Sequence, residues 1–267
     1  LKFLKITENQ HIATVSLDRP EKRNAFHPGM IGELTKFFKA TAKDKKLRGV
    51  LLTGEGASFC AGGDLEWMKE MASYSKAENR SDAKRLYEMY WLIKTCPVPV
   101  VGKIFGHAFG GGAGLTAVCD IVFAEEKTQF CFSEVKYGLV PAVISPFVND
   151  RACRSFIPEW FLTAKVFSSA EASRGGLINK YGTLAEVDSY VEDTLKLILN
   201  SAPEAVRETK KLQQMYSTVP WKKMEAVVTK LIAARRASAE GQKGLSAFLA
   251  KTTPRWSESP YGSPPKI

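Results

Sequence analysis

The chain opens on two stretches in which apolar and polar residues alternate, 2–7 and 11–17, separated by Glu8-Asn9-Gln10. A period of two predicts strands, and the polar break predicts a hairpin turn. Asp18 to Asn24 is a polar turn. From Pro28 to Ala42 the apolar residues Ile31, Leu34, Phe37 and Phe38 recur at helical spacing, which predicts an amphipathic helix. Gly49-Val50-Leu51-Leu52-Thr53 is a short unbroken apolar run and reads as a buried strand. Gly54 to Gly63 is a loop of small residues, 64–80 is polar and reads as irregular, and 81–94 returns to helical periodicity. A second buried strand starts in Pro97-Val98-Pro99-Val100-Val101-Gly102, a glycine-rich turn covers Gly106 to Gly112, and Leu115 to Val118 reads as helix. Ile121 to Ala124 and Phe130 to Phe132 read as strands, and beyond Pro141 the pattern is mainly helical through residue 250. Thr252 to Ile267, rich in Pro, Ser and Gly, reads as a loose tail. Strands alternating with helices, followed by a run of helices, predict an α/β core with a helical C-terminal part.

Composition narrows this picture modestly. The 267 residues, 45% of them hydrophobic, suffice for one large core. Lys and Arg number 38 against 28 Asp and Glu, a net charge of +10, which suits an anionic ligand or a plain solubilising surface equally well. The five cysteines form no C-x-x-C pair and the three histidines are far apart. Neither a metal site nor a disulfide framework is expected, and a reducing compartment fits. The N-terminus lacks the apolar stretch of a signal peptide, and no window approaches the ~20 apolar residues of a membrane span. The expected location is the cytoplasm, or a mitochondrial matrix if an import sequence has been removed.

Three segments could carry chemistry. Gly106-His107-Ala108-Phe109-Gly110-Gly111-Gly112-Ala113-Gly114 lies between a predicted strand and a predicted helix. Such a turn exposes backbone N–H groups that can hold developing negative charge. It lacks the Lys-Ser/Thr of a P-loop and the G-x-G-x-x-G spacing of a dinucleotide fold, so taken alone it is equally well a tight packing turn. Phe59-Cys60-Ala61-Gly62-Gly63-Asp64-Leu65 is a second small-residue loop after a buried strand. Ser133-Glu134-Val135 follows the apolar run Phe130-Cys131-Phe132. A carboxylate there would be partly desolvated, which raises its pKa towards the range of a general base. An isolated Glu in such a place is more often a cap or a surface ion pair. Cys60, Cys119 and Cys131 sit in apolar runs and read as core residues, and His107 as a local hydrogen-bonding residue. Trp67, Met68, Ile144 and Phe147 could line an acyl pocket, with core packing the safer reading of each. No G-x-S-x-G elbow supports serine hydrolase chemistry.

FCAGGDL, GHAFGGGAGL, CDIVFA and FCFSEVKYGLVPA, in that order and spacing, together resemble the crotonase (enoyl-CoA hydratase/isomerase) family. DRPEKRNAF and SAEGQKGLSAFLAK resemble its two ends, so the resemblance spans residues 2–256. Ser133-Glu134-Val135, the run Pro141-Ala142-Val143-Ile144-Ser145-Pro146 and the ending Pro254-Arg255-Trp256 look most like the bacterial methylglutaconyl-CoA hydratases.

The resemblance implies an α/β spiral of β-β-α units over 1–200, a helical trimerisation or lid region over 201–256 and a loose tail over 257–267. It implies a homotrimer or dimer of trimers, no tightly bound cofactor, and coenzyme A as part of an acyl-CoA substrate. It places two oxyanion donors at the N–H groups of Gly63 and Gly111 and the catalytic carboxylate at Glu134. Lys22, Asn24, Ala61, Gly62, Asp64, Leu65 and Gly114 would border substrate or coenzyme A, with Phe248 and Lys251 adding contacts from a C-terminal helix. The activity implied is reversible hydration of an α,β-unsaturated, branched dicarboxylic acyl-CoA of leucine breakdown. One departure bears on this. Hydratases of the family commonly carry a second glutamate where this chain has Gly114, and a lone carboxylate suits a Δ3–Δ2 enoyl-CoA isomerase. Asp64, Glu66, Glu70 and Ser145 are the polar residues expected to border the pocket; the place of Asp64 beside the oxyanion glycine suggests that it fixes the loop instead, and Ser145 or the substrate's own distal carboxylate is expected to help hold water. A relative in the family binds AU-rich RNA, but the basic residues here are dispersed and no K/R-G-F-G-F-V motif occurs, so nucleic acid is not the expected partner.

Overall fold

The structure, a computed structural model, describes residues 1–256. The tail expected over 257–267 lies outside the described residues. Strand β1 (Leu4–Asn9) pairs antiparallel with β2 (Ile12–Leu17), with Leu4 opposite Leu17 and Asn9 opposite Ile12. The turn is Gln10-His11, one residue later than its sequence suggests. Both have positive φ, 52° and 67°, the pairing whose twist matches a two-residue hairpin. Helix α1 (Pro28–Thr41) starts with Pro at its first position and with His27 Nδ1 accepting from the Gly29 N–H at 3.0 Å. Its buried face is Met30, Ile31, Leu34 and Phe38, with Phe37 only partly buried.

Strand β3 (Gly49–Gly54) runs parallel to β2. The stretch 64–80, expected to be irregular, is largely helical: it holds α2 (Leu65–Met71) and the first turn of α3 (Lys76–Lys94), whose remainder is the helix expected over 81–94. Asp64 caps the first, and Ser75 with Glu78 forms a reciprocal capping box on the second. Strand β4 (Val100–Ile104) is followed by β5 (His107–Phe109) and α4 (Gly111–Val118). Then come β6 (Ile121–Glu125), β7 (Gln129–Cys131), a 3-10 turn over Glu134–Tyr137, and α5 (Ser145–Arg151). Helix α6 (Ile157–Thr163), β8 (Phe167–Ser168), α7 (Ser169–Arg174), β9 (Lys180–Gly182) and α8 (Leu184–Leu199) precede three C-terminal helices, α9 (Pro203–Met215), α10 (Trp221–Ala237) and α11 (Ala239–Leu249). None of the described helices is long and apolar enough to cross a membrane.

Two sheets result. The larger has the order β1-β2-β3-β4-β6-β9 and is parallel beyond the first hairpin; the smaller is β5-β7-β8. Successive passes of the chain visit the larger sheet, then the smaller, then a helix: β4, β5, α4, and next β6, β7 and the 3-10 turn with α5. An earlier pass does the same without a full strand, since Cys60 after β3 makes a parallel bridge to Ala108 of β5. This is the expected β-β-α spiral. It also explains why distant residues converge. Cys60 is aligned with Ala108, and Ala108 with Phe130, so Gly63, Gly111 and Ser133 each lie three residues beyond an aligned position. Adjacent strands are about 4.8 Å apart, so the chain emerges three times side by side at one edge of the smaller sheet.

Candidate active site

The loop bearing Gly63 is fixed from beneath. Asn24, wholly buried, donates its amide to the carbonyls of Glu55 and Ser58, each at 2.8 Å, and accepts from the Arg19 N–H at 2.8 Å. Arg19 donates to Asp64 at 2.8 Å and to the Ala25 carbonyl at 2.9 Å. Asp64 also accepts from the Glu66 N–H at 2.8 Å. Burial opposes charge on Asp64, yet the Arg19 guanidinium and the N–H groups of Glu66 and Trp67 outweigh it and hold the carboxyl below its ordinary pKa. Its contribution to stability is therefore present above the unfolded-state pKa and lost as pH falls through the lower folded value. Asp64→Ala strands a guanidinium with only 11% of its side chain exposed. It is expected to lower unfolding free energy by about 3–5 kcal/mol, read by urea denaturation at pH 7. The apolar double variant Arg19→Met/Asp64→Leu is expected to recover most of that loss.

Phe26 forms a parallel bridge with Gly63, donating to the Gly62 carbonyl at 2.6 Å and accepting from the Asp64 N–H at 2.9 Å. Because alternate peptides of a strand face opposite edges, the Gly63 N–H points away from Phe26, towards the side where β5 lies. Gly111 is the first residue of α4, so its N–H has no acceptor within the helix. Neither N–H is hydrogen-bonded among the described residues. Glycine is required here for space: a Cβ on Gly111 would lie 2.6 Å from the Phe26 ring, and one on Gly112 2.3 Å from the Cys60 carbonyl.

Gly110, with φ 48° and ψ −115°, turns the chain into α4 and donates to the Cys131 carbonyl at 2.7 Å. That bond brings the end of β7 alongside. A Cβ on Gly110 would lie 3.6 Å from Glu134 Oε1 and 3.7 Å from Ser133 Oγ. Glu134 Oε2 is buried with no hydrogen-bond partner. Burial raises the Glu134 pKa, offset in part by the residue's own backbone N–H. The arrangement is thus a partly desolvated carboxylate beside two open N–H donors.

The position of Gly114 is closed. A Cβ there would stand 2.5 Å from Ile144 Cγ2 and 3.0 Å from the Tyr90 hydroxyl oxygen. Tyr90, fully buried, donates to the Gly111 carbonyl at 2.8 Å. Its own pKa is driven well up by burial, with Cys60 and Glu134 adding to the effect. Ile144 and Tyr90 fill the space into which a side chain at 114 would grow.

The other expected site residues divide clearly. Asn24 and Asp64 are held by the loop they fix, so Asn24 keeps no free donor. Lys22 is exposed and 3.3 Å from Glu66, an ion pair of small worth. Ala61 donates to the Arg23 carbonyl, Gly62 is buried, and Leu65 is exposed at the start of α2. Phe248 and Lys251 are exposed on and after α11, and no hydrogen bond or ion pair joins them to Lys22, residues 61–65 or Glu134 among the described residues. Of the polar residues expected to reach water, Glu66 is paired with Lys22, Glu70 is exposed, and Ser145 donates to the Ala142 carbonyl at 3.0 Å. Met68 faces Gly63, its sulfur 3.5 Å from where a Cβ would be, while Trp67, Ile144 and Phe147 are buried. Sequence reasoning passed over Arg19, Tyr90 and Ser133. Only Ser133 carried a visible signal, its place beside Glu134. Cys60 and Cys119 are buried core residues whose thiols burial pushes up to about 12, so they are not nucleophiles. His107 Nδ1 lies 3.1 Å from Ser58 Oγ, a local contact. Among the described residues no group of three or more His, Cys, Asp or Glu is placed to hold a metal ion.

The family model described as enoyl-CoA hydratase/isomerase matches residues 7–259. Enoyl-CoA hydratase ACTT6 of Alternaria alternata is 30% identical over 242 residues, covering 88% of this chain and 77% of that protein. The crystal structure of an enoyl-CoA hydratase from Shewanella pealeana is 32% identical, covers 95% of this chain and 96% of its own, and superposes with a TM-score of 0.90. AtuE of Pseudomonas aeruginosa, 29% identical, covers 96% and 100% with a TM-score of 0.93.

Proposed function

This chain belongs to the enoyl-CoA hydratase/isomerase family, and from that premise we propose that it adds water reversibly to an α,β-unsaturated acyl-CoA. The observation that carries the reading is the grouping of two unbonded N–H donors, at Gly63 and Gly111, with a carboxylate whose Oε2 is buried and unpartnered. The thioester oxygen sits between the two donors. As a water oxygen bonds to the β-carbon, the π electrons move onto the thioester, and the donors stabilise the resulting enolate. One such donor is commonly worth about 10²–10³ in rate. Glu134 takes a proton from water and returns one to the α-carbon, so the net change is addition of one water. Burial of Glu134 raises its basicity for the first of these tasks.

Coenzyme A lies along Lys22 and residues 61–65, with Phe248 and Lys251 completing its contacts in a trimer or dimer of trimers. Its phosphates give the +10 charge a partner, and their binding energy fixes the acyl group for reaction. The substrate is a branched dicarboxylic enoyl-CoA of the methylglutaconyl kind, in leucine breakdown in the cytoplasm. The sequence details at 133–135, 141–146 and 254–256 support that choice.

The closed position at Gly114 favours a second reading, a Δ3–Δ2 isomerase in which Glu134 alone carries the proton. Heavy-oxygen water separates them. Incubation with methylglutaconyl-CoA, crotonyl-CoA and a 3-enoyl-CoA is expected to place heavy oxygen on the β-carbon of the first most rapidly. If neither 2-enoyl substrate gains oxygen while the 3-enoyl substrate isomerises, the isomerase reading replaces hydration.

A further inference from the structure

Hydration is aided by a group that fixes the attacking water besides the carboxylate that deprotonates it, and the position at 114 has no room for one. We propose that the hydroxyl of Ser133, with the carboxylate of Glu134, holds the water that adds to the β-carbon. The assignment rests on the hydration reading above.

Three observations converge on Ser133. The first is placement. Strand alignment puts it level with Gly63 and Gly111, three residues past the aligned set Cys60, Ala108 and Phe130. The second is its hydroxyl. Ser133 stands at the N-terminal cap of the 3-10 turn, yet makes no capping hydrogen bond, because its backbone is helical, at φ −85° and ψ −4°. Ser75, Ser168, Thr183 and Ser238 occupy the same position on their helices with extended or nearly extended backbones, and each accepts a backbone N–H. Ser133 Oγ makes no other hydrogen bond among the described residues, so it is available as both donor and acceptor.

The third is spacing. Ser133 Oγ and Glu134 Oε1 lie 3.7 Å and 3.6 Å from the point where a Cβ on Gly110 would be. They are not hydrogen-bonded to each other, yet both lie within 3.7 Å of this one point, a neighbourhood that a water shared between them can occupy. Gly110 has no side chain to intrude there. Its neighbour Gly111 carries one of the two open N–H groups, so water at this point stands next to the thioester.

In the forward step the water oxygen forms its bond to the β-carbon and one water proton passes to Glu134. Ser133 holds the remaining hydroxyl in line, neither gaining nor losing a proton overall. Glu134 then gives its proton to the α-carbon and the carboxylate is restored. In the reverse step Ser133 donates to the departing hydroxyl.

The test compares two rates on each variant: heavy-oxygen incorporation into methylglutaconyl-CoA, and exchange of α-hydrogens of a saturated acyl-CoA with deuterated water. The second needs the donors and Glu134 but no held water. Ser133→Ala is expected to lower kcat for hydration roughly 10- to 100-fold, with KM nearly unchanged and exchange reduced far less, so that the ratio of the two falls at least 10-fold. Ser133→Thr, which keeps the hydroxyl, is expected to restore most of it. Equal losses in both rates would make Ser133 a structural residue and overturn the assignment, as would wild-type hydration by Ser133→Ala. A wild-type enzyme that exchanges α-hydrogens but never incorporates oxygen overturns the hydration reading itself, and the assignment with it.

Discussion

Glu134→Gln is expected to lower turnover by about 10²–10⁴-fold while binding of coenzyme A stays within a few-fold of wild type. Glutamine keeps the size and one acceptor oxygen but cannot take a proton. The loss should therefore appear in kcat, and in α-hydrogen exchange as strongly as in hydration, measured by single-turnover kinetics and isothermal titration. The pH profile gives an independent sign. Burial lifts the Glu134 pKa above its ordinary 4.5, so the acidic limb of kcat/KM has its midpoint above the usual glutamate range, and the substitution abolishes that limb. Stability moves the other way. A folded-state pKa raised above the unfolded value means a contribution fully present below the unfolded pKa and lost as pH rises through the folded one. At neutral pH the buried charge is a burden, and Glu134→Gln is expected to melt higher than wild type. The difference closes as pH falls below the unfolded-state pKa.

Gly114→Glu supplies the second carboxylate common among hydratases of the family, and it is expected to destroy the enzyme. The new Cβ alone would approach Ile144 Cγ2 to 2.5 Å and the Tyr90 oxygen to 3.0 Å, at a position that is fully buried. Overpacking of this kind costs about 1–3 kcal/mol, and an unpaired buried carboxylate adds several kcal/mol more. A fall of roughly 10 °C or more in melting temperature follows. Gly114→Glu combined with Ile144→Gly removes the closest clash and is expected to recover part of the fall, checked by calorimetry on both variants. Full stability in the single variant would mean that Ile144 and Tyr90 do not close this position.

The α/β order and the segments that make up the candidate site were both legible in the sequence. Glycine repeats and a Glu after an apolar strand are local signals, and the structure brings Gly63, Gly111 and Glu134 together at one sheet edge. Helix α2 and the first turn of α3 escape a sequence reading because their composition misleads, whereas the periodicity over 81–94 marks the rest of α3. Residues 65–80 show little apolar stripe, although the Ser75–Glu78 capping box stood in plain view. The strands β5, β8 and β9 have two or three residues each, too few for any period, and exist only because a neighbouring strand receives them. Ser145 reads as a water-holding residue because sequence does not reveal which hydroxyl finds a carbonyl, and Ser145 finds that of Ala142. The place of Asp64 beside the glycines suggests its loop-fixing role, but nothing reveals that Asn24 faces inward, since its partners Glu55 and Ser58 meet it only after the loops fold over one another.

The bridge between Cys60 and Ala108 has a mechanical consequence. The peptide bearing the Gly63 N–H hangs from the end of β3 in the larger sheet, while that bearing the Gly111 N–H follows β5 in the smaller. A slide of one sheet over the other is the motion that would spread them. Cys60 resists it from both sides, donating to the His107 carbonyl at 2.9 Å and accepting from the Phe109 N–H at 3.0 Å. The chain is thus pinned within three residues of each N–H group. These two bonds therefore restrain the gap between the N–H groups against that slide.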